Sequence, residues 1–178
     1  PEDLWAYLAN YEKKTSGQVL AIPHNGNISG GRMFSLQDFS GTPLTREYAE
    51  KRMRWEPIYE VTQMKGDGEA HPFLSPDDEF ADFETWDKGN LAMLEKHKDE
   101  YFETEYARSA LKLGLQQETA LGANPFKFGM IGATDSHTGF SSATEDNFFG
   151  KYGNAAPYKN RWKSEWPPVK GTIAKMYG

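Results

Sequence analysis

The chain has 178 residues, with 20 Lys and Arg against 26 Asp and Glu, a formal charge of −6. An apolar content of 38 % suits the core of one medium domain, and the acidic balance argues against a general nucleic-acid binder. The lack of cysteine excludes disulfides, thiolate metal sites and a cysteine nucleophile, and no apolar run reaches the ~20 residues of a membrane span.

Leu4, Leu8 and Tyr11 recur at helical spacing and predict an amphipathic helix that ends before Ser16-Gly17. Val19-Leu20-Ala21-Ile22, closed by Pro23, predicts a short strand buried on both faces. His24-Asn25-Gly26-Asn27 follows at once. Asn25-Gly26 is a hairpin signal, so His24 reads either as a turn residue or as a functional one. Gly30-Gly31 lets the backbone turn N–H groups toward an anion, with Arg32 as its clamp. Thr45 predicts the cap of a second helix, which Pro57 ends near Glu56.

Ile58–Thr62 predicts a second strand with Glu60 in its middle. A carboxylate there needs a metal, a cation or a proton. Either Lys65 is its structural partner, or Glu60 faces a metal while Lys65 faces substrate phosphate; the second reading is favoured. From Asp67 to Glu105, 13 acidic residues stand against Lys88, Lys96 and Lys98, which reads as a solvated face. His71 and His97 read as surface histidines. Phe102, Tyr106, Ala110 and Leu113 predict a third helix, with exits at Gly114 and Gly122 and with Arg108 able to neutralise Glu105 three residues earlier. Lys127–Thr134 predicts a third strand that runs into Asp135-Ser136-His137. Side chains at i and i+2 of an extended segment point the same way, so Asp135 and His137 are able to grip one ion. The alternative makes Asp135 a helix cap beside a surface histidine. The aromatics of residues 151–178 are mixed with Gly, Pro and six bases without a clear period, which suggests an irregular arm.

The order of elements predicts an α/β fold with a parallel sheet built from alternating helices and strands. Such folds assemble sites at the carboxyl ends of their strands, where His24, Glu60, Lys65, Asp135 and His137 all fall. Imidazole and carboxylate donors suit Zn, Mn or Fe(II). Neither a nucleophile elbow nor a dinucleotide fingerprint is present.

Four segments stand in order: Ile22-Pro23-His24-Asn25-Gly26-Asn27, Glu60-Val61-Thr62-Gln63-Met64-Lys65-Gly66, Asn124-Pro125-Phe126-Lys127-Phe128-Gly129 and Gly132-Ala133-Thr134-Asp135-Ser136-His137-Thr138. Together they resemble the DUF3604 family, a mostly bacterial family allied to the PHP (polymerase and histidinol phosphatase) superfamily of metal-dependent hydrolases. The resemblance covers nearly the whole chain. It implies a distorted (β/α)7 barrel that holds divalent ions and hydrolyses phosphoesters. His24 matches the lone histidine of the superfamily's third motif, Asp135 and His137 match its closing D-x-H, and Glu60 lies on the strand where the ligand varies.

The superfamily opens with an H-x-H pair that this chain lacks, so the resemblance implies the carboxyl-terminal part of such an enzyme. Residues 1–150 would form a partial barrel and 151–178 an arm on the same domain or a partner. The expected function is hydrolysis of a small, phosphorylated substrate by metal-activated water. His24, Glu60, Asp135 and His137 are the expected ligands of a Zn, Mn or Fe ion. Glu60 and Lys65 are the expected catalytic groups, and Asn25, Arg32 and Lys65 the substrate-binding ones. The alternative is a catalytically silent half-barrel that acts by association, with another chain or as a homo-oligomer. A sugar- or nucleic-acid-binding role for the tail aromatics ranks last. Family members are often exported, which leaves a periplasmic or secreted location open.

Overall fold

The computed structural model describes residues 1–63, 65–92, 94–133 and 135. Helix α1 spans Glu2–Thr15, α2 Arg46–Trp55 and α3 Ala107–Leu121; the strands are β1 Ile58–Gln63, β2 Gly66–Asp67 and β3 Gly129–Gly132. The three strands lie in the order β2-β1-β3. β1 pairs with β3 in parallel and with β2 antiparallel, so the sheet is small and mixed, not wholly parallel as predicted. Among the described residues no helix is long and apolar enough to cross a membrane.

Helix boundaries follow local chemistry. Ser16 ends α1 in the left-handed conformation, and the Thr45 hydroxyl accepts the Tyr48 N–H at the start of α2. α2 stops at Glu56, ahead of Pro57. The predicted face of α1 is not the one it buries: Trp5 is buried, whereas Leu4 and Tyr11 are exposed. Trp5 wins because its ring packs edge-on against Tyr48 at 5.0 Å while its Nε1–H donates to Glu56 Oε1 at 2.9 Å.

Residues 19–23 run beside β1 without becoming a strand. The Ala21 N–H bonds the Trp55 carbonyl and the Glu60 N–H bonds the Pro23 carbonyl, but Pro23 has no N–H with which to continue the ladder. Leu20 and Ile22 are exposed, so the expected double burial is absent.

α3 begins a turn later than predicted. Phe102 lies in a 3₁₀ segment, Asp99–Thr104, because the Thr104 carbonyl is taken by the Phe34 N–H. The helix then starts where Ala107 and Arg108 N–H groups find the carbonyls of Gly68 and Glu69, which satisfies two of its orphan donors. The predicted stripe still holds, since Phe102, Tyr106, Ala110 and Leu113 are all buried. The core sits between α3 and the sheet: Phe34 packs on Tyr59 at 5.1 Å and on Phe126 and Phe128 at 5.5 Å, with Leu44, Ala107, Ala110 and Leu113 around them.

Candidate functional site at the strand ends

The parallel register sets Glu60 beside Ile131 and Thr62 beside Gly132, and the Ala133 N–H bonds the Thr62 carbonyl. Both strands therefore end at one place. There the ammonium of Lys65, a buried residue, forms an ion pair with the carboxylate of Asp135. The structure thus pairs Lys65 with Asp135, and not with Glu60 as the structural alternative required. Asp135 is in the left-handed conformation, as is Asn25, at φ 52° and 64°. Asp and Asn are the non-glycine residues best suited to it.

The loop after residue 23 is tied to the same edge. The Gln63 amide donates to Asn25 Oδ1, while its Oε1 accepts the Lys65 N–H at 2.7 Å. Asn27 Nδ2 donates to the carbonyls of Lys65 and Trp86 at 3.1 and 3.2 Å. Asn25-Gly26 forms no hairpin; Asn25 instead stands just before the 3₁₀ turn Gly26–Ile28. His24 is exposed, with Nδ1 3.3 Å from the Ile22 carbonyl. A carbonyl only accepts, so in this contact Nδ1 is the donor.

Glu60 follows the Pro23–Glu60 backbone bond that brings the two segments together. Its Oε1 is buried and, among the described residues, has no hydrogen-bond partner. Among the described residues no three His, Asp or Glu side chains converge to hold an ion; His137 lies outside those residues, as does the arm of 151–178 with its aromatics. The residue types are those a divalent ion takes: the His24 imidazole, the Asp135 carboxylate, here paired with Lys65, and the buried Glu60 Oε1. Arg32 is exposed and lines a groove of about 630 Å³ with Pro23, Ser29, Met33, Tyr48 and Arg52.

The Gly30-Gly31 turn does hold an anion, and it is internal. Both glycines have positive φ, at 65° and 75°, and the Gly31 N–H donates to Glu105 Oε1 at 3.0 Å. Glu105 is fully buried, and its other oxygen lies 2.6 Å from His97 Nε2. Burial pushes its carboxyl pKa up, against the opposing pull of the Gly31 N–H and then of His97. Arg108 bonds Glu69 and Asp78 instead of Glu105. Neither His71 nor His97 is a surface residue. Their rings lie 4.1 and 4.3 Å from Phe102, and His71 contacts Asp87 at 3.2 Å. Sequence spacing gave no sign of these pairs, because 97 and 105 meet through the 3₁₀ segment and 71 and 87 through irregular chain.

A model of the family described as protein of unknown function, DUF3604, matches residues 1–176, and the chain belongs to that family. No curated protein and no solved structure matches it.

Proposed function

We propose that this member of the family supplies the carboxyl-terminal share of a metal-dependent hydrolase site for phosphoester-like substrates. The observation that carries the reading is Glu60: a buried carboxylate oxygen without a partner among the described residues, on a strand whose end also carries the Lys65–Asp135 pair. An unpartnered buried oxygen costs about 1–3 kcal/mol, which an ion would remove. His24, Glu60, Asp135 and His137 would hold that ion. A Zn, Mn or Fe ion there would supply a Lewis acid and a water of lowered pKa.

The chain's own groups have separable tasks. The Ile22 carbonyl accepts from His24 Nδ1, which would leave Nε2 as the atom that meets the ion. Glu60 is either a further ligand of that ion or, in place of that role, the candidate general base for an attacking water. Lys65, its charge balanced by Asp135 at the strand ends, is the candidate cation for a phosphoryl oxygen. Asn25 and Gln63 hold the loop in register with β1, and Arg32 is the outer candidate for a substrate anion.

The test is metal content by plasma mass spectrometry on the dialysed chain, beside an Asp135→Ala/His137→Ala variant. Near-stoichiometric Zn, Mn or Fe in the parent and its loss in the variant are expected. Metal that is absent, or equal in both, would overturn the reading. A second reading, association without catalysis, is favoured by β3, whose four residues are all exposed.

A further inference from the structure

The His24 loop is seated on Glu105 at two points. At Gly31 the carboxylate of Glu105 takes the backbone N–H, and the Thr104 hydroxyl donates to the Gly31 carbonyl at 2.8 Å. At Gly26 the backbone packs so closely that an added Cβ would collide with the Tyr59 hydroxyl and with the Glu105 carbonyl oxygen. Between these points the Ile28 N–H bonds the Asn25 carbonyl and the Ser29 N–H bonds the Gly26 carbonyl, so the segment moves as one turn. A fully buried carboxylate needs compensation, and here it comes from the loop's own N–H and from His97.

We infer that Glu105, held by His97, is the positioning residue of the loop that presents His24 and Asn25: it is the anion on which the Gly30-Gly31 turn closes. The assignment of this loop to the working edge rests on the reading above, but the seating itself does not. Glu105 acts through His24 and Asn25 and touches no substrate. His97 has the complementary task of supplying the second donor, without which one carboxylate oxygen would be buried bare.

The test is amide hydrogen exchange by NMR on the full 178-residue chain, read at Gly31, with the imidazole signals of His24 recorded alongside. In the parent, Gly31 should be among the slowest-exchanging loop amides. In Glu105→Gln a neutral acceptor replaces a charged one and the contact with His97 Nε2–H is lost, so Gly31 exchange should rise about tenfold while α2 amides keep their rates. The His24 signals should shift in the same variant. An unprotected Gly31 in the parent overturns the inference without any variant. So does an unchanged Gly31 in folded Glu105→Gln, or a rise shared equally by α2. Glu105→Ala leaves a carboxylate-sized gap, and partial recovery of Gly31 protection by added acetate is expected; its absence in a folded variant counts against the assignment. Because these signals need neither metal nor turnover, failure of metal binding leaves them readable, and the two ideas fall separately.

Discussion

At the scale of single residues, His71 shows how a histidine becomes structural. Its Nδ1 accepts the Phe73 N–H at 3.1 Å, which leaves the proton on Nε2, facing Asp87 Oδ2 at 3.2 Å. Burial against Phe102 pulls its pKa below the ordinary 6.5, and the neighbouring Asp87 opposes that pull. A lowered folded-state pKa means that the unfolded chain takes up the proton first. The stability contributed by neutral His71 is therefore present above the ordinary value and lost as pH falls through the lowered one. Urea midpoints should begin to drop as pH falls through the ordinary histidine value and go on dropping below it. His71→Asn keeps an acceptor for the Phe73 N–H but cannot titrate, so it should flatten that decline. A pH profile identical in parent and variant would show that His71 is not the source.

At the scale of elements, the features legible in the sequence are those decided by neighbours along the chain. Thr45, Pro57 and the Ser16-Gly17 exit each act within one turn, and α1, α2 and β1 start or stop where those residues require. Glu60 inside an apolar strand and Lys65 beyond it are anomalies visible without a structure, but the partner that Lys65 takes, Asp135, is not. What was not legible is decided across the fold. Pro23 spoils a strand only because β1 is its neighbour, and α3 starts late only because Phe34 takes the Thr104 carbonyl.

Arg52 is the clearest case of such an element-level joint. It sits on α2, is buried, pairs with Glu56 at 3.0 Å and donates to the Met33 carbonyl at 2.7 Å. Its guanidinium also lies 4.9 Å from the centre of the Phe126 ring. Glu56 in turn accepts from Trp5, so α1, α2, the Met33 loop and the core meet at one ion pair. Removing one partner of a buried pair leaves the other charge bare, and Arg52→Leu should cost roughly 3–5 kcal/mol. Arg52→Leu/Glu56→Leu should cost less than the single change, since no buried charge is stranded. Urea unfolding of the parent and both variants measures this, and a single-variant cost below about 1 kcal/mol would refute the joint.

For the whole molecule, the sheet edge is the feature with the widest consequence. Among the described residues β3 pairs with β1 on one side and with no strand on the other, and its four residues are exposed, with Met130 at 50 % and Ile131 at 40 %. Strands in parallel pairing are usually covered on both faces, and edge strands left open are usually defended by charge, proline or a bulge. Gly129-Met130-Ile131-Gly132 has no charge and no proline, and Leu20 and Ile22 add further exposed apolar surface. An edge of this kind recruits another strand, so the isolated chain should self-associate at micromolar concentration. Sedimentation equilibrium across a concentration series should show the average mass rising. Ile131→Lys places a charge on the edge and should return the chain to monomer without lowering its thermal midpoint, because an exposed side chain contributes little to the monomer's core. A parent that stays monomeric throughout, or association indifferent to Ile131→Lys, would remove the support that β3 lends to the association reading. The same variant separates the two readings of the molecule. If the ion site is complete within one chain, metal content stays level as association is abolished. If it falls with the oligomer, the strand ends of one chain form only part of a site that a second chain completes.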